Sequence, residues 1–321
     1  MDAISPPPTL KRRAALLLIG IVLAFGGATL MGFGGRQGWL LELCTHFRVQ
    51  YFWALALAAL ALGILGRGRW SLTAATLAVV NLAAIVPLYF GPAENIALDH
   101  QLRCMSLNVN WQNEDYGRTI ELIRAEEPDW VLLIEVTPEW CEAMRAIENE
   151  YPYVHANPVA LSGGIALYSR IPFKDVNLQD LYELRVHALL VEFNLPGGPL
   201  TFVGAHPASP GSSTFFAMRN RQLDLLAQLV QRQKSPLMLM GDLNTTSWSP
   251  FFRDLLANSG LKDTRRGFGV EGSWPGVPLP LRIPIDHCLV TEGVAIVARR
   301  IGESVGSDHR PVIVDFALPQ R

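Results

Sequence analysis

Three stretches near the N-terminus, Ala14 to Gly35, Val49 to Gly66 and Ser71 to Gly91, contain no Asp, Glu, Lys or Arg. At 1.5 Å per residue each is long enough, the second only just, to cross a hydrocarbon core of about 30 Å. Residues 1–91 are therefore expected to form a membrane anchor of three transmembrane helices, over about 14–35, 49–66 and 71–91. A signal peptide competes for the first stretch because Lys11-Arg12-Arg13 precede it. Two further apolar runs and the lack of a small-x-small cleavage site favour the anchor. Asn81 and Pro87 read as helix features facing protein.

Charge placement orients such an anchor. Lys11, Arg12, Arg13, Arg67 and Arg69 fall on one side of it, and Arg36 and Arg48 on the other. The positive-inside rule puts the N-terminus in the cytoplasm. Three crossings then deliver the rest of the chain to the outer side, the periplasm if the membrane is a bacterial inner membrane.

Residues 101–321 carry 20 Lys and Arg against 25 Asp and Glu, a net charge of −5. That is not the electrostatic footprint of a protein that grips a long nucleic-acid duplex. Cys44, Cys104, Cys141 and Cys288 show neither CxxC spacing nor a disulfide framework. Cys104 and Cys288 lie in apolar runs and read as small buried hydrophobes; whether any pair of Cys104, Cys141 and Cys288 oxidises stays open.

After a linker at 92–101, strand-like and helix-like patterns alternate from Leu102 onward. Strands are expected at Cys104 to Val109, Trp130 to Val136, Gly164 to Tyr168, Ala188 to Phe193, Leu200 to Gly204, Leu237 to Met240, Ile285 to Val290, Val294 to Arg299 and Pro311 to Phe316. Helices are expected at Tyr116 to Ala125, Glu139 to Asn149 and Met218 to Gln233. Adjacent strands without intervening helices point to an α/β (α+β) domain of two packed mixed β-sheets flanked by helices, a four-layer sandwich, over 102–321.

Polar residues end many of these apolar runs: Asn108 and Asn110, Glu135, His206, Asp242 and Asn244, Asp286 and His287, Asp308 and His309. Glu135 after Val131-Leu132-Leu133-Ile134 is the hardest to explain structurally, since an unpaired carboxylate ending a buried strand costs several kcal/mol. Asn110 alone reads as a turn residue. His287, on the opposite face from Asp286 if both lie in a strand, reads as a supporting or surface residue.

The segments Met105-Ser106-Leu107-Asn108-Val109, Asp129 to Glu135, Gly164 to Arg170, Ala205-His206-Pro207, Gly241-Asp242-Leu243-Asn244, Pro284-Ile285-Asp286-His287 and Ser307-Asp308-His309-Arg310-Pro311 occur in that order. In sequence and context they resemble the endonuclease/exonuclease/phosphatase, or deoxyribonuclease-I-like, superfamily, over Leu102 to Leu318. Any one motif is weak; seven in order are specific.

The resemblance implies a divalent-metal-dependent phosphoester hydrolase. Glu135 would be the main carboxylate ligand of Mg²⁺ or Mn²⁺, with Asn108 and Asp308 completing the shell directly or through water. Asp242 would orient and deprotonate the attacking water, and Asn244 would hold water or phosphate in line. His206 and His309 would donate to non-bridging oxygens, with Asp286 fixing the ring of His309.

Substrate is less constrained. The loops Ala208 to Phe216 and Gly267 to Pro275 are small, apolar and aromatic instead of basic. Phe215, Phe216, Phe268 and Trp274 either meet a membrane interface or cover core edges. Lys262, Arg265 and Arg266 form one basic cluster, read as a solvated face or a second phosphate contact. Of Arg219 and Arg221, one is expected to face the site. The expected partners are a phosphoester, from a lipid headgroup or a nucleic acid, and the lipid bilayer, with no protein partner. A nuclease is the alternative, and a catalytically silent membrane module is a third reading that loss of Glu135, Asp242 or His309 would have marked.

Overall fold

A computed structural model of the 321-residue chain describes residues 10–91, 101–181, 187–234, 236–276 and 281–318. Two compact units emerge, Met1–Pro87 and Leu88–Arg321. The expected linker at 92–101 lies, apart from Gln101, outside the described residues.

In the first unit, α1 (Leu10–Met31), α2 (Trp39–Leu43), α3 (Arg48–Ile64) and α4 (Gly68–Ile85) follow in sequence. Two continuous helical segments, Leu10–Gly34 and Gly68–Tyr89, are long and apolar enough to cross a membrane, with mean hydropathies of 2.3 and 1.9. The third expected span is not among them. Its helix is 17 residues long and opens on Arg48, which is buried. Arg48 Nη1 donates to Asn81 Oδ1 (3.2 Å), and Asn81 Nδ2 donates to Thr29 Oγ1 (2.9 Å), so Asn81 does face protein.

The second unit holds two six-stranded sheets. Its strands are β1 (Leu102–Asn108), β2 (Trp130–Ile134), β3 (Tyr153–Asn157), β4 (Ile165–Ser169), β5 (Phe173–Asp180), β6 (His187–Leu195), β7 (Gly198–Gly204), β8 (Leu237–Asp242), β9 (Lys262–Asp263), β10 (Asp286–Val290), β11 (Ala295–Ile301) and β12 (Val312–Ala317). The orders are β11-β12-β1-β2-β4-β3 and β5-β6-β7-β8-β10-β9. Both sheets are mixed in the same way, with a central parallel pair, β1/β2 in one and β7/β8 in the other. A helix makes each crossover, α5 (Tyr116–Glu126) in the first and α7 (Ser213–Gln231) in the second. α6 (Pro138–Met144) and α8 (Pro250–Ser259) complete the helices.

Near-continuous apolar strands such as Trp130 to Ile134, buried at every position, require cover on both faces. Between the sheets, Trp130 stacks on Phe193 at 4.6 Å and meets Phe202 and Phe316 edge-on. Leu223 and Leu226 of α7 and Phe252 and Leu255 of α8 pack with Val203 and Leu239 on one outer face. Ile123 of α5 and Trp140 and Met144 of α6 pack with Leu107 and Leu133 on the other.

Helix signals explain the boundaries. Ser212 accepts the N–H of Phe215, so α7 starts five residues before the expected Met218. The helix expected at Glu139 to Asn149 breaks into α6 and a 3₁₀ turn, Arg145–Ile147. Cys104 and Cys288 are buried, and all four cysteines are free thiols.

Candidate active site

Register brings the polar strand ends together. In the parallel pair β1/β2, Asn108 lies beside Ile134, which sets Asn108 and Glu135 at one end of their sheet. In the antiparallel pair β8/β10, Asp242 lies directly opposite Asp286. The loop before β12 brings Asp308 and His309 to the same end, where Ser307 Oγ donates to Asn108 O (2.7 Å) and accepts from His309 N (3.0 Å).

The backbone here is constrained. Glu135, Asn244 and Asn110 have φ of 64°, 50° and 59°, a region that costs L-residues about 1–2 kcal/mol each. Glycine permits the close approaches beneath them. A Cβ on Gly164 would lie 1.8 Å from Val136 O, and one on Gly241, at φ 145°, 1.9 Å from Ala205 O.

A continuous polar chain crosses the site. His309 Nδ1 is 2.9 Å from Asp286 Oδ2, and His309 Nε2 is 3.6 Å from Asp242 Oδ2. The same Asp242 oxygen is 3.6 Å from His206 Nε2 and accepts from Asn108 Nδ2 at 3.2 Å. Asn108 Nδ2 also donates to Glu135 Oε1 at 3.0 Å, and His206 Nε2 is 3.8 Å from that oxygen. Trp111 N–H donates to Glu135 Oε2 (3.2 Å). Asn108, Glu135, His206, Asp242, Asp286 and His309 thus form one cluster.

Burial sets the charges. Desolvation pushes the Asp242 carboxyl up to about 6, with Asp286 adding to the shift and the two imidazoles opposing it. His309 goes the other way. Burial disfavours its charged form, but Asp286 and Asp242 outweigh that and push it up to about 10. Asp286 is held below the usual carboxylate range: burial would raise it, but the charge and hydrogen bond of His309 prevail.

Asn244 and Asp308 sit differently from the rest. Asn244 N–H donates to Asp242 Oδ1 (2.9 Å), while its Nδ2 donates to Pro207 O (3.0 Å). Asp308 is exposed, with its oxygens held by Asn110 Nδ2 (2.8 Å) and Trp274 Nε1 (2.9 Å). Asn110 and Trp274 are thus site residues that the strand-end pattern did not assign. Trp274, 6.4 Å from the His309 ring, closes one side of the site.

Other expectations need correction. Of the two readings of His287, a supporting or a surface residue, the surface one fails, since the ring is fully buried: Nδ1 contacts Arg265 Nη2 (2.5 Å) and Nε2 contacts Thr245 O (2.8 Å). Burial and the adjacent guanidinium push it down to about 3. Arg265 is likewise buried and paired with Asp263, so the basic cluster at 262–266 is not a uniform solvated face. Of the helix arginines, Arg219 faces inward. Its Nη1 donates to Asn244 O (2.6 Å), and Gln222 Oε1 accepts from Ala208 N (2.7 Å), so α7 clamps the loops carrying Asn244 and His206.

The donor set suits a hard cation. Glu135 Oε1 and Asp242 Oδ2 face each other across Asn108 Nδ2 and His206 Nε2, and carboxylate oxygens are what Mg²⁺ and Mn²⁺ prefer; Asn108 Oδ1 accepts from Asn110 N (3.0 Å), so the amide would have to turn over to offer its oxygen to a cation. Asp242, Asp286 and His309 also offer ligand atoms within 4.8 Å of one another. There Asp286 is already taken up by His309 Nδ1, whereas the Glu135 carboxylate is partly open and is the better-placed cation ligand.

The sequence profile described as "Endonuclease/Exonuclease/phosphatase family" matches residues 105–309. The chain belongs to the endonuclease/exonuclease/phosphatase family. As a member it is a hydrolase of the metal-dependent phosphodiesterase and nuclease type. Among solved structures, a family member from Beutenbergia cavernae aligns at TM-score 0.54 and 23% identity, covering 68% of this chain and 72% of its own. D. rerio TDP2, complexed with a single-strand DNA product, aligns at TM-score 0.56 and 16% identity over 68% of this chain and 100% of its own. Sphingomyelinase C from Streptomyces griseocarneus aligns at TM-score 0.50 and 20% identity over 67% of this chain and 99% of its own. At these identities the likenesses establish the fold. No curated protein sequence matches the chain.

Proposed function

We propose that this chain is a membrane-anchored phosphodiesterase whose catalytic region, 102–321, hydrolyses a lipid-linked phosphoester. The observation that carries the chemistry is the chain Asp286–His309–Asp242–Asn108–Glu135, with His206 bridging its last two carboxylates. Asp242, raised to about 6, is poised to orient a water and take its proton near neutral pH. Asn244, fixed by Arg219, holds that water or a phosphate oxygen in line. His309 stays cationic and, with His206, donates to the non-bridging oxygens, while Asp286 fixes its ring.

Glu135 and Asn108 would hold Mg²⁺ or Mn²⁺, with Asp308 reaching it through water. When bound, the cation polarises the phosphoryl group and offsets charge on the leaving oxygen.

The apolar N-terminal helices support a multi-pass anchor in an inner membrane. With only Leu10–Gly34 and Gly68–Tyr89 crossing, the catalytic region and the N-terminus share one side; with Arg48–Ile64 also crossing, they lie on opposite sides. At 17 residues, about 25 Å, α3 meets the lower limit for a span. We favour three crossings and a periplasmic catalytic region, which the basic residues before α1 and between α3 and α4 support. A reporter fused after Arg321 that is active only in the cytoplasm would refute that topology.

The substrate test is a panel of phospholipid vesicles, single-stranded DNA, duplex DNA and a generic diester, with Mg²⁺ or Mn²⁺ and with Asp242→Ala as control. Lipid turnover lost in the variant is expected. Turnover of DNA alone would replace the lipid reading with a nuclease, and no turnover of anything would favour a silent module.

A further inference from the structure

Eight large hydrophobic side chains are exposed among the described residues of 101–318, and they are unevenly placed. β1 and β2 end, and β10 begins, at the end of the sandwich that holds the polar cluster. β3 ends and β4 begins there too, because Asn157 pairs with Ile165 and Ile165 with Ile134. β7 ends beside β8, and β9, antiparallel to β10, runs toward that end. Trp111, Val159, Leu161, Phe215, Phe268 and Leu281 all occupy loops or a helix start at this end. Only Tyr153, at the far end of β3, and Val297, in the β11 edge, lie elsewhere.

The neighbouring aromatics are used differently. Phe216 packs on Phe251 at 5.4 Å, and Trp274 holds Asp308, so these two cover structure. Phe215 and Phe268 do not share that work and stay exposed. The segments 157–164, 207–218 and 267–270 contain no Asp, Glu, Lys or Arg. These three segments repel no lipid and attract no phosphate backbone, and their complement is hydrocarbon; charges flank the rest of the rim, with Glu114 and Asp115 after Trp111, Arg266 and Glu271 on either side of Phe268 and Arg282 after Leu281.

We propose that these loops form an interfacial docking surface that rests in the acyl-chain boundary of a bilayer, so that the site draws its phosphoester from a membrane lipid. This rests on the lipid reading above. Two features of the chain select a bilayer as the occupant. Two of its N-terminal helical segments are of membrane-crossing length, and only ten residues, 92–101, separate Gly91 from β1 in the sequence, a tether of at most about 35 Å.

The test uses the full chain reconstituted in phosphatidylcholine vesicles whose acyl chains carry bromine. An environment-sensitive fluorophore is placed on Leu161→Cys, Phe215→Cys or, as the far-end control, Tyr153→Cys; signal from native cysteines is removed by subtracting the labelled parent. Quenching at the two rim positions at least about twofold above the control, unchanged between about 0.05 and 0.5 M salt, is expected. Equal quenching at all three positions, or quenching that salt abolishes, would overturn the docking surface.

A second readout separates docking from chemistry. Leu161→Ser/Phe215→Ser/Phe268→Ser is expected to slow turnover of a vesicle phospholipid at least tenfold and to leave a soluble aryl phosphodiester unaffected. An equal fall on both substrates would show that the rim supports the site and not the interface, against the proposal. Rim quenching in a parent that turns over neither substrate would refute the phosphodiesterase reading and leave the docking surface standing.

Discussion

Asp286→Asn tests whether His309 acts as a cation. The substitution keeps the shape and one acceptor at 2.9 Å from Nδ1, but removes the charge. A hydrogen bond to a charged partner contributes about 1.5–3 kcal/mol against about 0.5–1.5 for a neutral one. The Coulomb energy of a close pair at an effective dielectric of 20 is about 4 kcal/mol. The loss therefore falls between about 1.5 and 4 kcal/mol, or about one to three pH units at 1.36 kcal/mol each. His309, near 10 in the intact site, drops to about 7–9, since Asp242 still faces it while burial works against its charge. A donor whose value is raised is present below that value and lost above it, so the variant should lose activity at lower pH. The assay is kcat/KM on a soluble diester with Mg²⁺ from about pH 6 to 9.5. The parent should hold its rate to about pH 9, and the variant's alkaline limb should move down by one unit or more. Alkaline limbs that superimpose would refute the cationic role of His309.

Arg219→Met removes a 2.6 Å bond to Asn244 O and the cation's contacts with Phe216 and Phe251, and should lower kcat about 10- to 100-fold with KM little changed, partly rescued by Arg219→Lys. Equal rates in parent and Met variant would contradict the clamp. Gly164→Ala places a Cβ 1.8 Å from a carbonyl oxygen and should cost about 3 kcal/mol or more; an unshifted melting temperature would contradict this. His287 is held near 3 when folded, whereas a free ring titrates near 6.5. The unfolded chain binds the extra proton between those values, so stability falls as pH drops through that window, by about 2 kcal/mol at pH 5. His287→Phe should shrink the difference in denaturation midpoint between about pH 7 and 5, and an unchanged difference would assign the acid sensitivity elsewhere.

The fold was legible where burial wrote a continuous apolar run. β1, β2, β8 and β10 are such runs, and their polar ends, Asn108, Glu135, Asp242 and Asp286, were readable because a strand that stops in a carboxylate has few other reasons to do so. The edge strands β3 and β5 were not readable, because polar residues such as half-buried His155 and exposed Lys174 interrupt their pattern. α8 has only short local signals in the sequence: Ser249 caps it, Pro250 opens it, and Gly260 closes it with φ 75°. The site residues that escaped depend on contacts distant in sequence. Asn110 looked like a turn former and is one, but its amide reaches across to Asp308, 198 residues away. The burial of Arg265 and His287 was not readable locally, because their mutual contact joins the segment after β9 to β10. The N-terminal helices show the limit of composition, since an uncharged run at 49–66 has a 17-residue helix, against continuous helical segments of 25 and 22 residues on either side, and is anchored by a buried arginine.

The central claim is that Asp242 directs water at phosphorus. Single-turnover hydrolysis of a phosphodiester in ¹⁸O-labelled water, with Mg²⁺ or Mn²⁺, tests it most directly. One labelled oxygen on the phosphoryl product, and a rate reduced by about 10²- to 10⁴-fold in Asp242→Asn, are expected. Label in the alcohol product, or an Asp242→Asn rate equal to the parent's, would contradict it.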